Sequence, residues 1–324
     1  MILIITSLLI AVHYSLTTPC LAQQITLSLD PPIVQTHIRP GKSILVAYTV
    51  ENSGDPTPLQ FLIRPFTPQG QEGALSVGDT LEGPILFSLE NTDVAFEKPF
   101  FFKSDEKRQA VVKIQIPEGV PEGDYYYILL AETVPSFSVG GQTTSIASAA
   151  VGSPLLINVT QTGITEAKGT IAEFSIKPTY TFTFGKRIFR IVDTGIPLPL
   201  VFSIRNAGNT LIDPQGTIKV RAGKKTTSYD ILPQHILSNS QRIVKINPPQ
   251  TDVPSNQTAH LSGLQLGKNT ITASVSFGEN TPTLLAQTDC IGIPIRLFTL
   301  SFVVLVLCGG VVVFASKHKP LKEE

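Results

Sequence analysis

The chain of 324 residues contains no tryptophan, one methionine and three cysteines, and only 15% of its residues are charged. Without tryptophan, any carbohydrate-stacking platform must rest on tyrosine or phenylalanine. No H-E-x-x-H helix signature, G-x-S-x-G elbow, Walker-type phosphate loop or D-x-[DN]-x-[DN]-G calcium loop occurs. Outside the two ends the histidines are His37, His235 and His260, each alone in a turn-like context with no partner at metal-ligand spacing. The paired carboxylates of a glycosidase meet in space and leave no linear signature. The most acidic segments here, "PEGVPEGD" and "KSDEKR", read as solvated turns. The expectation is a protein that is not an enzyme, with no cofactor, no metal and no small-molecule substrate.

The two ends carry long apolar runs. Residues 1–22 hold "MILIITSLLIAV" without a charged side chain and finish in small residues, with Cys20 and Ala22 at the −3 and −1 positions of a cleavage site. That pattern is a secretory signal peptide. Near the other end, "LFTLSFVVLVLCGGVVVFAS" at 297–316 is uninterrupted and of membrane-spanning length. Arg296 precedes it, and Lys317, Lys319 and Lys322 follow within a short tail, 317–324. The heavier basic flank stays in the cytoplasm. A single-pass protein of the cell membrane is expected, its N-terminal domains outside. No sortase-type motif precedes the span, and a chain ending in charges does not fit a GPI signal. Cys20 leaves with the signal, Cys308 lies in the span and Cys290 just outside it. The external part then holds no disulfide, which suits an exported bacterial protein stabilised by packing. The N-x-T sequons at Asn158 and Asn256 carry little weight.

Between the ends, helical periodicity is nearly absent. Short alternating or β-branched runs such as "SILVAYTVE", "AVVKIQI", "LVFSIRN" and "NTITASVSF" are separated by Pro, Gly, Asn and Asp. This is the pattern of antiparallel sandwiches. The expected fold class is all-β: two tandem immunoglobulin-like sandwiches, 23–162 and 163–289, plus one C-terminal transmembrane helix. The halves echo each other, "VAYTVENSGD" at 46–55 against "LVFSIRNAGN" at 200–209. Asn52 and Asn206 are placed to cap a turn, and Gly54 and Gly208 to enter it. The polar "QTGITEAKGT", 161–170, marks the boundary.

"VPEGDYYYILLAET", 120–133, follows an alternating strand and a Pro/Gly-rich crossing. Gly123 and Tyr125 stand where immunoglobulin-like sandwiches place a tyrosine corner, whose hydroxyl bonds back to the backbone. Alternation puts Tyr125 and Tyr127 on one face and Tyr126 on the other. This patch is expected to be structural first and a stacking surface second.

"IQIPEGVPEGDYYYILLAE" and "VGSPLLINVTQTGITEAKGTIAEFSI", with "FSIRNAGNTLIDPQGTIKV" in the second half, resemble bacterial surface proteins with a PapD-like, immunoglobulin-type first domain. More distantly the chain resembles the WxL-interacting proteins of Gram-positive bacteria. The family's later Pro-Gly turn is replaced here by Leu237, Ser238, Asn239 and Ser240. The resemblance implies an anchored surface protein that docks other surface proteins and touches peptidoglycan. Its motifs specify turns and strands rather than a chemistry.

Three segments are candidates for contact. Residues 23–162 hold 8 basic and 15 acidic side chains, a net of −7, and residues 163–289 hold 13 and 8, a net of +5. In the basic half Lys219, Arg221, Lys224 and Lys225 share one predicted hairpin and, with Lys186, Arg187 and Arg190, offer a contact for anionic lipid or wall polymer. The basic residues are not interleaved with aromatics, which argues against nucleic acid. "KPFFFKSD" at 98–105 places Phe100, Phe101 and Phe102 where an edge strand takes up another strand, and the loop 136–154 carries Gly140 and Gly141. The function expected is non-catalytic binding or scaffolding of surface proteins or envelope components at a membrane. The alternatives are an accessory chaperone that accepts a client strand, or a module for peptidoglycan or anionic polymer.

Overall fold

The computed structural model describes residues 24–90, 93–134, 149–247, 259–278 and 281–317. The signal peptide, Gly140 and Gly141, Asn256, and the tail after Lys317 lie outside the described residues. The chain divides into two compact units, one of residues up to Phe66 with Val77–Gly163, the other of Thr67–Ser76 with Ile164 onward.

Ten strands belong to the first half: β1 (Leu27–Asp30), β2 (Val34–Ile38), β3 (Ser43–Asn52), β4 (Thr57–Gln69), β5 (Ala74–Val77), β6 (Leu86–Leu89), β7 (Phe100–Phe102), β8 (Glu106–Gln115), β9 (Gly123–Thr133) and β10 (Ala150–Val159). One sheet runs β1-β3-β8-β6, and the facing sheet runs β2-β10-β9-β4-β5 with β7 on β4. Alternation supplies the core: Tyr48, Val50, Val112 and Ile114 from one sheet meet Leu59, Phe61, Leu129 and Ile157 from the other. Each such aliphatic or aromatic side chain contributes about 1.5–3 kcal/mol when fully buried. After β1 the chain changes sheets. Pro31 and Pro32 have no N–H to pair, so the ladder breaks there and β2 resumes parallel to β10. A first strand shared between two packed antiparallel sheets makes this an immunoglobulin-like sandwich.

The second half holds β11 (Gly169–Ile176), β12 (Tyr180–Phe184), β13 (Arg187–Asp193), β14 (Leu198–Asn206), β15 (Gln215–Ala222), β16 (Lys225–Ile231), β17 (Gln241–Ile243), β18 (Ile246–Asn247), β19 (Ala259–Leu261), β20 (Gly267–Ser276) and β21 (Leu284–Ile293). A small sheet, β11-β14-β17 with β19 on β14, packs on a seven-stranded one, β12-β13-β21-β20-β15-β16-β18. Phe202 and Ile204 face Ile218, Val220, Ile271 and Val275 across the core. The last strand runs to Ile293, four residues beyond the expected limit at 289, and takes Cys290 into the core. Burial there pushes the Cys290 thiol up to about 11.

Helix α1 (Ile295–Lys317) follows Pro294 directly. Arg296 in its first turn lies 3.7 Å from the nearly buried carboxylate of Asp193 at the end of β13. Among the described residues no helix is long and apolar enough to cross a membrane. The side chains of α1 are described as far as Val311, and its backbone continues to Lys317.

Candidate functional site

Among the described residues no group of His, Cys, Asp or Glu is arranged to hold a metal ion. His235 is less isolated than its sequence context suggests, since its Nδ1 lies 2.6 Å from Asp213. His37 sits 3.2 Å from the Asn158 side chain, which in turn donates to Asp124 at 2.6 Å. Asn158, the first sequon residue, is therefore a buried ladder residue with its amide already committed.

The three tyrosines fill structural places. The Tyr125 hydroxyl donates to the Pro121 carbonyl at 3.1 Å, and Gly123 supplies the positive φ of 144° at the turn, which is tyrosine-corner geometry. Tyr127 is buried against Phe87, ring centroids 4.8 Å apart, and a Cβ on Gly83 would run into its hydroxyl. Tyr126 turns to the other face, stacks on Phe66 at 5.7 Å and donates to Asp124. No open row of rings remains.

The phenylalanine segment is mostly core. Phe102 is fully buried and Phe100 half-buried against Phe61, while Phe101 alone is exposed, at 60%. Arg108 lies 5.1 Å from the Phe100 ring centre and 5.9 Å from that of Phe102. Its ion pairs with Glu106 and Asp93 keep that end of β8 fixed. The Lys103 N–H and Arg108 hold the Glu106 carboxyl below its usual range. Two of the three side chains expected to meet a partner are thus spent on packing, and β7 is only three residues long.

A better edge lies on β10. It pairs β9 along all ten residues, Ala150–Val159, yet pairs β2 only over Leu155–Val159. The Thr133 N–H donates to the Ala149 carbonyl at 2.9 Å. Antiparallel bonding alternates, so Ala150 and Gly152 turn their N–H and C=O away from β9. Among the described residues nothing pairs that side. Sequence reading placed these positions at the end of a loop, 136–154. The alternation of "AVGSPLLINV" is interrupted by Gly152 and Pro154, which hides the strand's first half.

The basic quartet separates. Lys219 and Arg221 lie two apart on β15 and project to the outer face, opposite the buried Ile218 and Val220. Lys225 pairs with Ala222 on the other face, and Lys224 sits in the turn. The structure adds Lys268 from β20, far away in sequence. Lys219, Arg221, Thr226, Lys268, Thr272 and Gln287 line an open concavity of about 790 Å³ on the outside of the seven-stranded sheet. Beside it the hairpin β12–β13 exposes Tyr180, Phe182, Phe184 and Ile188. Sequence reading did not recognise β12; the alternating "YTFTF" before a Gly-Lys turn is the signal that would have found it.

No protein-family model and no curated protein matches the chain. Among solved structures, it is similar to the Salmonella enterica SafA pilin in complex with the SafB chaperone, at 12% identity, over 82% of this chain and 97% of that one, with a TM-score of 0.35. The CsuC-CsuE chaperone–tip adhesion subunit pre-assembly complex of Acinetobacter baumannii gives 12% identity over 83% and 99%, with a TM-score of 0.37. A PapD-like domain of human CEP192 gives 13% identity over 45% and 93%, with a TM-score of 0.29.

Proposed function

We propose that this chain is a non-catalytic protein of a bacterial cell envelope, tethered to the membrane by α1, that binds a partner protein by strand addition. One observation carries the reading: among the described residues, the first half of β10 presents unpaired backbone donors and acceptors on the side away from its full ladder with β9. An extended segment laid there gains main-chain hydrogen bonds and needs no deformation of the sandwich. Prolines 31, 32 and 154 keep β2 from closing that half, because none can donate to a ladder. The tether rests on the sequence: residues 297–316 are an uninterrupted apolar run of membrane-spanning length between Arg296 and Lys317, although among the described residues no helix meets that length and apolarity.

The same open edge suits an assembly factor, which would release its client where a scaffold would keep it. The test uses the full chain in detergent micelles, with Ala150→Pro against the wild type, in capture of envelope proteins. Ala150→Pro removes an outward N–H and leaves the β9 ladder intact, so the expected result is loss of the captured partner with an unchanged melting temperature. Undiminished capture by Ala150→Pro excludes strand addition at β10. Exchange of the captured protein for a competing strand separates assembly factor from scaffold.

A further inference from the structure

We infer that the outer face of the seven-stranded sheet is a binding site for a phosphate-bearing glycan polymer. The site lies on the second unit. Across the sheet, Gln287, Thr272, Lys219 and Ser228 stand in one row, and Asp289, Thr270, Arg221 and Thr226 in the next. Four strands at about 4.8 Å spacing make each row about 14 Å wide. Each row holds one cation, Lys219 or Arg221, neighbours on one face of β15 and flanked on both adjoining strands by hydroxyl groups, so charge for a phosphate stands beside groups that can meet sugar hydroxyls.

The charge is unbalanced. Lys268 pairs with Asp289 at 3.0 Å, the one carboxylate in these two rows. Lys219 and Arg221 enter no ion pair among the described residues and are exposed. At the β21 side of the face, Phe182 lies flat on Phe189, centroids 5.0 Å apart and planes 12° from parallel. Val192 points into the core, so alternation turns Phe189 and Ile191 outward, onto this same face. Exposed ring planes beside a cationic strip provide stacking for sugar rings next to charge for phosphates.

The face is shallow, without a buried polar group aimed into it, so each contact is weak and affinity must come from repetition along a chain. That favours a polymer over a single small anion. It also favours a polymer over a lipid surface. Lys219 and Arg221 are level with Gln287 and Asp289, about 20 and about 14 Å up the strand direction from Ile293, where the chain leaves for α1, and only Lys268, paired with Asp289, stands nearer.

The test measures binding of the full chain, in nanodiscs of zwitterionic lipid, to yeast phosphomannan, to the same mannan stripped of phosphate, and to anionic vesicles. Lys219→Glu/Arg221→Glu should weaken phosphomannan binding at least about tenfold and flatten its salt dependence. Lys224→Glu/Lys225→Glu, the same charge change off the face, should alter it less than about twofold. Equal loss in both pairs would reduce the effect to net charge and overturn the site. Equal binding of stripped mannan would remove phosphate from the recognition, and binding of vesicles alone would assign the face to lipid. Phe182→Ala reports on the ring planes and should cost affinity without changing the salt slope; an effect on the slope alone would exclude stacking.

Discussion

Two asparagines at equivalent places show what a motif states and what it withholds. "ENSGD" and "RNAGN" predict that Asn52 and Asn206 accept from Gly54 and Gly208, and they do so at 3.0 and 2.9 Å. The sequence does not show where their amides point. Asn52 donates to the Asp55 and Lys103 carbonyls, and Asn206 to those of Thr210, Ile236 and Leu237. Both are fully buried, so truncation leaves carbonyls dry at about 1–3 kcal/mol each. Asn206→Ala is expected to cost about 3 kcal/mol and Asn52→Ala about 2 kcal/mol, read from denaturant midpoints; the reverse order would mean that the distant carbonyls carry little. Tyr48 is the opposite case. Its ring is fully buried, and its hydroxyl meets no group at good hydrogen-bond geometry; the Ser153 hydroxyl, which donates to Pro31 at 2.8 Å, gives it at most a weak acceptor. Tyr48→Phe should stabilise the protein by about 1 kcal/mol. Burial also pushes the phenol from 10.0 to about 12. A raised folded pKa means that stability is whole below pH 10 and falls as pH rises to 12. Tyr48→Phe should flatten that alkaline limb, and an unchanged limb would show that another group controls it.

At the scale of elements, period-two alternation located most strands, because a sandwich strand with one buried face must alternate. It failed where one side of the strand is not core. β13 is legible as "RIFRIV", with Val192 in the core, but β12 is exposed on both faces and its alternating "YTFTF" goes unrecognised, and the first half of β10 lacks a regular pattern because Gly152 and Pro154 interrupt it. Alternation would also have divided the quartet, since Lys219 and Arg221 share a face that Lys225 cannot join. It could not supply Lys268, which only the β15–β20 register brings alongside. The β10 edge has its own internal control. Val151 pairs with Ala131 and points its N–H into the ladder, whereas Ala150 points outward. Val151→Pro removes a ladder N–H and should therefore destabilise by about 1–3 kcal/mol, while Ala150→Pro changes stability by less than about 0.5 kcal/mol. Equal melting curves for the two variants would put the register out by one residue, and with it the open edge.

At the scale of the molecule, the charge division and the C-terminal helix point to one arrangement. The acidic half ends where the basic half begins, and the basic half continues through β21 into α1 with only Pro294 between them. A helix so joined starts beside its sandwich, and Arg296 in its first turn lies 3.7 Å from Asp193 of the sheet. The apolar side chains of α1 that are described are exposed, with nothing from the sandwich over them. In water that exposure costs about 25 cal/mol for every Å² of apolar surface, a cost that the proposed membrane tether would remove. The full chain should stay in the membrane pellet through alkaline carbonate extraction, whereas a chain ended at Ile293 should be released to the supernatant and keep its strand content. A protease added outside intact cells should cleave both sandwiches and spare a tag placed after Glu324. Extraction of the full chain by carbonate, or release of that tag by the protease, would refute the tether and its orientation while leaving the β10 edge and the cationic face to be tested independently.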